Sequence, residues 1–142
     1  MSADFLDTNV FVYLFDETAP AKRGIAEDLV RRAIEDGTGA ISYQVAQEAL
    51  NVLTRKLNAT PAAAQRFLDD VLSPLWRLGP SPELFERALE IRARYAFGWY
   101  DALIVASALA CGSERLLSED LHHGQHIGRM QIVNPFLREG AP

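Results

Sequence analysis

The chain has 142 residues, 49% of them hydrophobic, enough for one domain with its own core and no need of disulfides or a structural metal. Its single cysteine, Cys111, excludes an internal disulfide framework and suits a reducing, cytoplasmic setting. A net charge of -5 excludes a protein that holds nucleic acid mainly through overall electrostatic attraction, so any such activity has to be local to a site.

Met1 to Phe15 lacks a positive leading region and is interrupted by Asp4 and Asp7, so it does not read as a signal peptide. Within it, Ala3 to Leu6 reads as a short strand ending at Asp7-Thr8-Asn9, and Val10 to Phe15 as a helical turn or two. A helix is predicted from Ala21 to Glu35, with Ile25, Leu29, Ala33 and Ile34 on its apolar face and a break at Gly37 and Gly39. Gly39 to Ser42 is a brief buried strand. A helix follows from Tyr43 to about Leu57, with Val45, Ala49, Leu53 and Leu57 on one stripe.

Thr60-Pro61 opens another helix, Thr as N-cap and Pro in the first helical position, and it stops near Ser73-Pro74. A strand over Leu75 to Leu78 leads to Ser81-Pro82-Glu83-Leu84, a second cap signal, and a helix to about Tyr95. Phe97-Gly98-Trp99-Tyr100 breaks the pattern before Asp101 to Ala110, which is apolar almost all round and reads as a helix packed on several sides. The apolar run Ala102 to Cys111 is about half of the roughly 20 residues a membrane-spanning helix needs, so no membrane segment is expected. Arg115 to Ser118 and Gln131 to Val133 are the last strand candidates, separated by a polar loop, Glu119 to Gly128. With no repeat or linker, the alternation predicts a single α/β domain over residues 1–142, its central, mainly parallel sheet of about five strands flanked by helices.

In a βα unit the helix runs back along the strand, so strand C-termini and helix N-termini share the sheet edge where ligands bind. Four acids map to that edge. Asp7 follows the first strand, Glu48 lies in the second turn of the helix after the second strand, Asp101 opens the buried helix, and Asp120 lies just past Arg115 to Ser118. Four converging carboxylates repel and raise one another's pKa unless a divalent cation or a proton offsets the charge. Mg²⁺ or Mn²⁺ suits such a set, because hard cations choose oxygen ligands and keep waters that can be activated for in-line attack on a phosphodiester. Taken singly, each acid has a plainer reading: Asp7 and Asp101 as helix caps, Glu48 as a solvated helix acid, Asp120 as a turn former. Their joint placement favours the site.

Phe5-Leu6-Asp7-Thr8-Asn9-Val10 resembles the opening strand and first acid of PIN domains, and Gln47-Glu48 followed by Asn51 and Val52 resembles the second. Tyr100-Asp101-Ala102-Leu103-Ile104-Val105-Ala106-Ser107-Ala108 is similar to the family's third-acid helix, and Leu117-Ser118-Glu119-Asp120-Leu121 to its fourth. Asn134-Pro135-Phe136 resembles the segment that often closes VapC-type toxins of bacterial toxin-antitoxin pairs. The resemblance spans nearly the whole chain in order. It implies a PIN-like sandwich of helices around a parallel sheet, Mg²⁺- or Mn²⁺-dependent endoribonuclease activity, frequent homodimerisation, and inhibition by a small antitoxin whose tail enters the active-site groove. By motif match, Asp7, Glu48, Asp101 and Asp120 are then metal ligands or water-orienting acids. Thr8, Asn9 and Ser118 are expected to hydrogen-bond the carboxylates and fix their rotamers.

Either Glu119 or its neighbour Asp120 can point inward; Asp120 is the expectation. His122, His123 and His126 invite a zinc reading, but no helical spacing supports it and solvated or substrate-contacting histidines are preferred. Gln125 is placed near the rim of the site without a defined role. Lys22 and Arg23, near the acid-bearing edge, are the favoured contacts to RNA phosphate; Arg31, Arg32, Arg55, Lys56 and Arg66 read as solvated faces. Trp99 and Tyr100 suit either base stacking or packing. Phosphatases that form an aspartyl-phosphate also place an Asp after the first strand. Here the position two residues on is Asn9, and no Lys follows Lys56, which counts against them. A PIN-like module that only binds RNA or a partner protein is the non-enzymatic alternative, and its expected mark, a missing acid, is absent.

Overall fold

A computed structural model describes residues 2–137. The ends of the expected 1–142 span, residue 1 and residues 138–142, lie outside the described residues. Six strands form one sheet: β1 (Asp4–Leu6), β2 (Gly39–Ser42), β3 (Trp76–Leu78), β4 (Arg115–Leu117), β5 (His126–Ile127) and β6 (Met130–Val133). Their order is β3-β2-β1-β4-β6-β5, parallel throughout except for β5 against β6. The helices are α1 (Thr8–Tyr13), α2 (Pro20–Glu35), α3 (Tyr43–Asn51), α4 (Pro61–Phe67), α5 (Ser73–Leu75), α6 (Pro82–Tyr95) and α7 (Trp99–Ala110). This is the predicted α/β class, with one strand more than expected.

The additional strand sits inside the segment read as a polar loop. Gly128, at φ +60, allows the two-residue turn that pairs Ile127 with Met130, and only two residues of β5 join the ladder. Two residues carry no readable alternation. Thr60 and Ser81 cap α4 and α6 as expected, accepting from the amides of Ala63 and Leu84 at 3.1 Å each.

Two expected apolar stripes are displaced. In α2 the buried residues are Ala26, Val30 and Ala33, while Ile25, Leu29 and Ile34 are only partly covered. Small side chains face the sheet because α2 lies close to it at Gly39. In α3 the helix gives way after Asn51 to a π-helical turn, Val52–Lys56, in which the Leu57 amide bonds the Val52 carbonyl at 3.2 Å. One extra residue in a turn rotates the downstream side chains by about 100°, which carries Leu57 off the Val45–Ala49–Leu53 stripe and into solvent. A second π-helical turn, Leu68–Leu72, links α4 to α5.

The core lies on both faces of the sheet, with Phe5, Leu6, Ile41, Leu116 and Ile132 fully buried along β1, β2, β4 and β6. Helix α7 buries every residue from Ala102 to Ala108, as its all-round apolar sequence requires. The chain leaves β1 toward β2 and β3, then returns to β4 on β1's other side. That reversal opens a crevice at the C-terminal ends of β1 and β4, the place where open α/β sheets take ligands.

A Cβ built on Gly39 would stand 2.5 Å from Ala33 Cβ and 3.0 Å from Leu75 Cδ2. Ala33 has no flexible end to move, so Gly39→Ala should cost about 1–3 kcal/mol. Gly24 in α2 meets nothing within 4 Å, and Gly24→Ala should instead stabilise by about 0.5–1 kcal/mol. Urea midpoints moving in opposite directions at unchanged slope would establish the close approach of α2 to β2; equal shifts would refute it.

Candidate active site

The register of the two central strands builds the first part of the site. Leu6 pairs with Leu117, so the next residues, Asp7 and Ser118, leave the sheet side by side. The Asp7 amide donates to the Leu117 carbonyl at 3.0 Å, and the Ser118 hydroxyl donates to Asp7 Oδ2 at 2.7 Å. Asp7 is also the N-cap of α1, its Oδ1 accepting from the Thr8 amide at 2.7 Å. The plain cap reading is thus true of Asp7, alongside whatever chemistry it performs. Its side chain is buried, and burial raises its pKa from the ordinary 3.8 to about 6, with Glu48 and Asp120 adding repulsion against the lowering effect of Ser118 and Thr8.

Thr8 turns its hydroxyl to the second acid, donating to Glu48 Oε2 at 2.7 Å. The other oxygen, Oε1, accepts from Gln44 Nε2 at 3.0 Å, and the same amide group reaches the Tyr100 carbonyl at 3.3 Å. Gln44 therefore ties α3 to the start of α7. Sequence reasoning passed over Gln44, although Gln44 and Glu48 stand at i,i+4 on one helix, a spacing at which side chains meet. Gln44 Oε1 is buried without a hydrogen-bond partner among the described residues.

Asp101 lies in the first turn of α7, whose N-cap is Gly98, so Asp101 is not the cap that the plainer reading made it. It is exposed, yet its carboxyl titrates above the usual range, chiefly through partial desolvation and then through Asp120 and Glu48. Asp120, also exposed, accepts from Asn9 Nδ2 at 3.2 Å. The Asp120 amide donates to Ser118 Oγ at 3.2 Å and the Glu119 amide to Asn9 Oδ1 at 3.3 Å. The four expected acids lie along one sheet edge, and the charges of Glu48 and Asp120 act on both Asp7 and Asp101. Thr8, Asn9 and Ser118 donate side-chain hydrogen bonds to Glu48, Asp120 and Asp7 respectively.

A groove of about 380 Å³ runs along α1 from Glu48 and Asp120, lined also by Thr8, Asn9, Tyr13 and Asp16. Among the described residues, no three His, Cys, Asp or Glu side chains stand together as a ready-made metal ligand set. The donor set is nonetheless all oxygen, and the carboxyls of Asp7 and Asp101 are raised first by desolvation and then by the charges of Glu48 and Asp120, a cost to the ionised form that a hard cation relieves. In that sense the residues fit a divalent cation.

Other expectations divide. Glu119 points away from Asp120: Tyr13 Oη donates to its Oε1 and Lys22 Nζ donates to its Oε2 at 2.7 Å. Lys22 is thereby paired at the surface with Glu119, and Arg23 pairs with Glu27 at 3.0 Å, so neither is offered freely to a phosphate. His123 Nδ1 accepts from the Asn134 amide at 2.9 Å, a structural tie, and the zinc reading of the three histidines gains no ligand cluster among the described residues. Gln125 contributes backbone bonds, to the His122 carbonyl and from the Ile132 amide. Trp99 packs edge-on against Phe85 at 5.6 Å, whereas Tyr100 is 69% exposed. Among the described residues no helix is long and apolar enough to cross a membrane.

The sequence profile of the PIN domain matches residues 5–125. The chain belongs to the PIN-domain family. Among solved structures it is similar to a toxin-antitoxin complex from Klebsiella pneumoniae, at 25% identity and a TM-score of 0.68, covering 94% of this chain and 98% of that one. It shares its fold with the Mycobacterium tuberculosis toxin VapC20, described as cleaving the sarcin-ricin loop, at 20% identity and a TM-score of 0.59 over 83% and 92% of the two chains. A protein from Pyrobaculum aerophilum has the same fold at 21% identity and a TM-score of 0.56, covering 84% of this chain and 80% of that one. No curated protein matches.

The Asp7 carboxyl titrates higher in the folded chain than in the unfolded one, so its protonated form is the stabilising one. That contribution is complete below 3.8 and is lost as pH rises through about 6. The loss amounts to about 3 kcal/mol. In chelator, Asp7→Asn should therefore flatten the stability profile between these values and melt higher than wild type at pH 7.5. A lower melting temperature for the variant would mean that Asp7 serves mainly as a cap.

Proposed function

We propose that the protein is a metal-dependent endoribonuclease that hydrolyses RNA phosphodiester bonds, the growth-inhibiting toxin of a type II toxin-antitoxin pair acting in the cytoplasm. The observation that supports this reading is that Asp7, Glu48, Asp101 and Asp120, from four separate parts of the chain, lie along one edge of the sheet of a PIN fold, with the charges of Glu48 and Asp120 acting on both Asp7 and Asp101. Asp7, Glu48, Asp101 and Asp120 would hold Mg²⁺ or Mn²⁺, which when bound supplies an acidified water as nucleophile and neutralises the substrate phosphate.

The remaining chemistry belongs to the chain. Ser118 and Thr8 fix the Asp7 carboxylate, Thr8 and Gln44 fix Glu48, and Asn9 fixes Asp120, so that the acids present oxygens at set positions. The groove along α1 is lined by Glu48 and the exposed Asp120, leaving room for a polymer to lie across that end of the site. Tyr100 stands beside Asp101 with most of its ring exposed, available to a base. The likeness to a toxin-antitoxin complex supports a small antitoxin as partner, and homodimerisation is part of the same proposal.

Purified protein incubated with total RNA should give discrete cuts with Mg²⁺ or Mn²⁺, none with chelator, and a loss of at least about a hundredfold in Asp101→Asn. Expression without a partner should slow growth, and Asp7→Asn should relieve it. Folded, metal-loaded protein that leaves every RNA intact and growth unaffected would replace the enzyme with a PIN-like module that binds RNA or protein.

A further inference from the structure

Two adjacent acids follow β4, and the structure sends them in opposite directions. Asp120 turns to Asn9 and the other carboxylates, while Glu119 has both oxygens taken, Oε1 by Tyr13 Oη and Oε2 by Lys22 Nζ at 2.7 Å. Lys22 also donates to Tyr13 Oη at 3.2 Å and sits 5.0 Å from the centre of the Tyr13 ring. Three groups from α1, α2 and the loop after β4 thus close a ring of contacts. The Tyr13 ring is itself backed by Phe136 at 4.8 Å, which ties the ring to the segment after β6.

Asn9, one helical turn before Tyr13, completes the attachment. Its Oδ1 accepts from the Glu119 amide at 3.3 Å and its Nδ2 donates to Asp120 at 3.2 Å. The loop that carries Asp120 has no regular structure until β5; its far end is held by backbone bonds of Gly124 and Gln125 to Ile132, and at Glu119 and Asp120 the bonds to α1 and α2 are made by the side chains of Asn9, Tyr13 and Lys22. We propose that Lys22, Tyr13 and Glu119 form a clasp that holds this loop on α1 and thereby sets Asp120 in the carboxylate cluster, with Glu119 a positioning residue. The clasp rests on the reading of the four acids as the cation site.

The clasp also accounts for a lysine beside an acidic groove that is turned to the loop and not into the groove. Lys22 is 41% and Glu119 25% exposed, and a pair so placed contributes modestly to overall stability. Its effect is local. Against the desolvation that would raise it, Lys22 and Tyr13 together hold the Glu119 carboxyl below its usual range, in keeping with donors on both of its oxygens.

The test uses the full chain and the variants Lys22→Met, Glu119→Ala, Tyr13→Phe and the exchanged pair Lys22→Glu with Glu119→Lys. Hydrogen exchange at the Glu119 and Asp120 amides is followed without metal, and binding of Mn²⁺ by calorimetry. Lys22→Met and Glu119→Ala are expected to speed exchange at both amides and weaken Mn²⁺ binding, each on the order of tenfold. Their metal-free melting temperatures should stay near that of wild type, and the exchanged pair should restore much of both readouts. Exchange and affinity unchanged in Lys22→Met and Glu119→Ala would overturn the clasp. A lowered melting temperature with those two amides still protected would overturn it too, since that is the mark of a general structural role. Should a single variant fail to fold, Tyr13→Phe and the exchanged pair carry the same comparison. Wild type that takes up no Mn²⁺ would sink the cation reading alone, because the exchange arm decides the clasp without metal.

Discussion

The site depends on one buried carboxylate. Asp7 leaves the central strand at the point where β1 and β4 part. Parallel register places Ser118 beside it, and the start of α1 delivers the Thr8 amide. These two donors make burial of the group tolerable. They do not make it comfortable, as the rise to about 6 indicates. Everything else in the site is arranged around that residue: Thr8 reaches from the same turn to Glu48, and Ser118 also receives the Asp120 amide.

The acids are graded by exposure. Asp7 is buried, Glu48 partly covered, and Asp101 and Asp120 open to solvent. Solvent screens the charge at the open end, where an anionic substrate would have to approach. A negatively charged protein can act on such a substrate only if the charge at the site is offset locally, which is the role a divalent cation plays in the proposed reaction.

The positive charges on α2 do not provide that offset. Arg23, Arg31 and Arg32 pair with Glu27, Asp28 and Glu35 along the helix, and Lys22 is spent on Glu119. Side chains three and four apart on a helix are natural partners, so a basic run with interspersed acids becomes a self-neutralised face. The clasp, by contrast, spans 97 residues of sequence and joins elements that only the fold brings together.

Caps, periodicity and strand-end placement are local properties written in a few consecutive residues, and from them the sequence carried the α/β class, the helix starts at Thr60 and Ser81, the burial of α7 and the lie of four acids along one sheet edge. It also contained the Gln44–Glu48 spacing, though a glutamine on a helix carries no distinguishing mark until its partner's role is known. The rest follows from the way the elements pack. The two-residue strand β5 exists through pairing with Met130, and the π-helical turn after α3 moves Leu57 into solvent. The close approach at Gly39 selects small residues on α2. Which of two neighbouring acids faces the site was likewise set by Tyr13 and Lys22, 106 and 97 positions away from Glu119. These outcomes are long-range contacts and rotations of one element against another, and a side chain's neighbours across the fold leave no trace in the residues beside it along the chain.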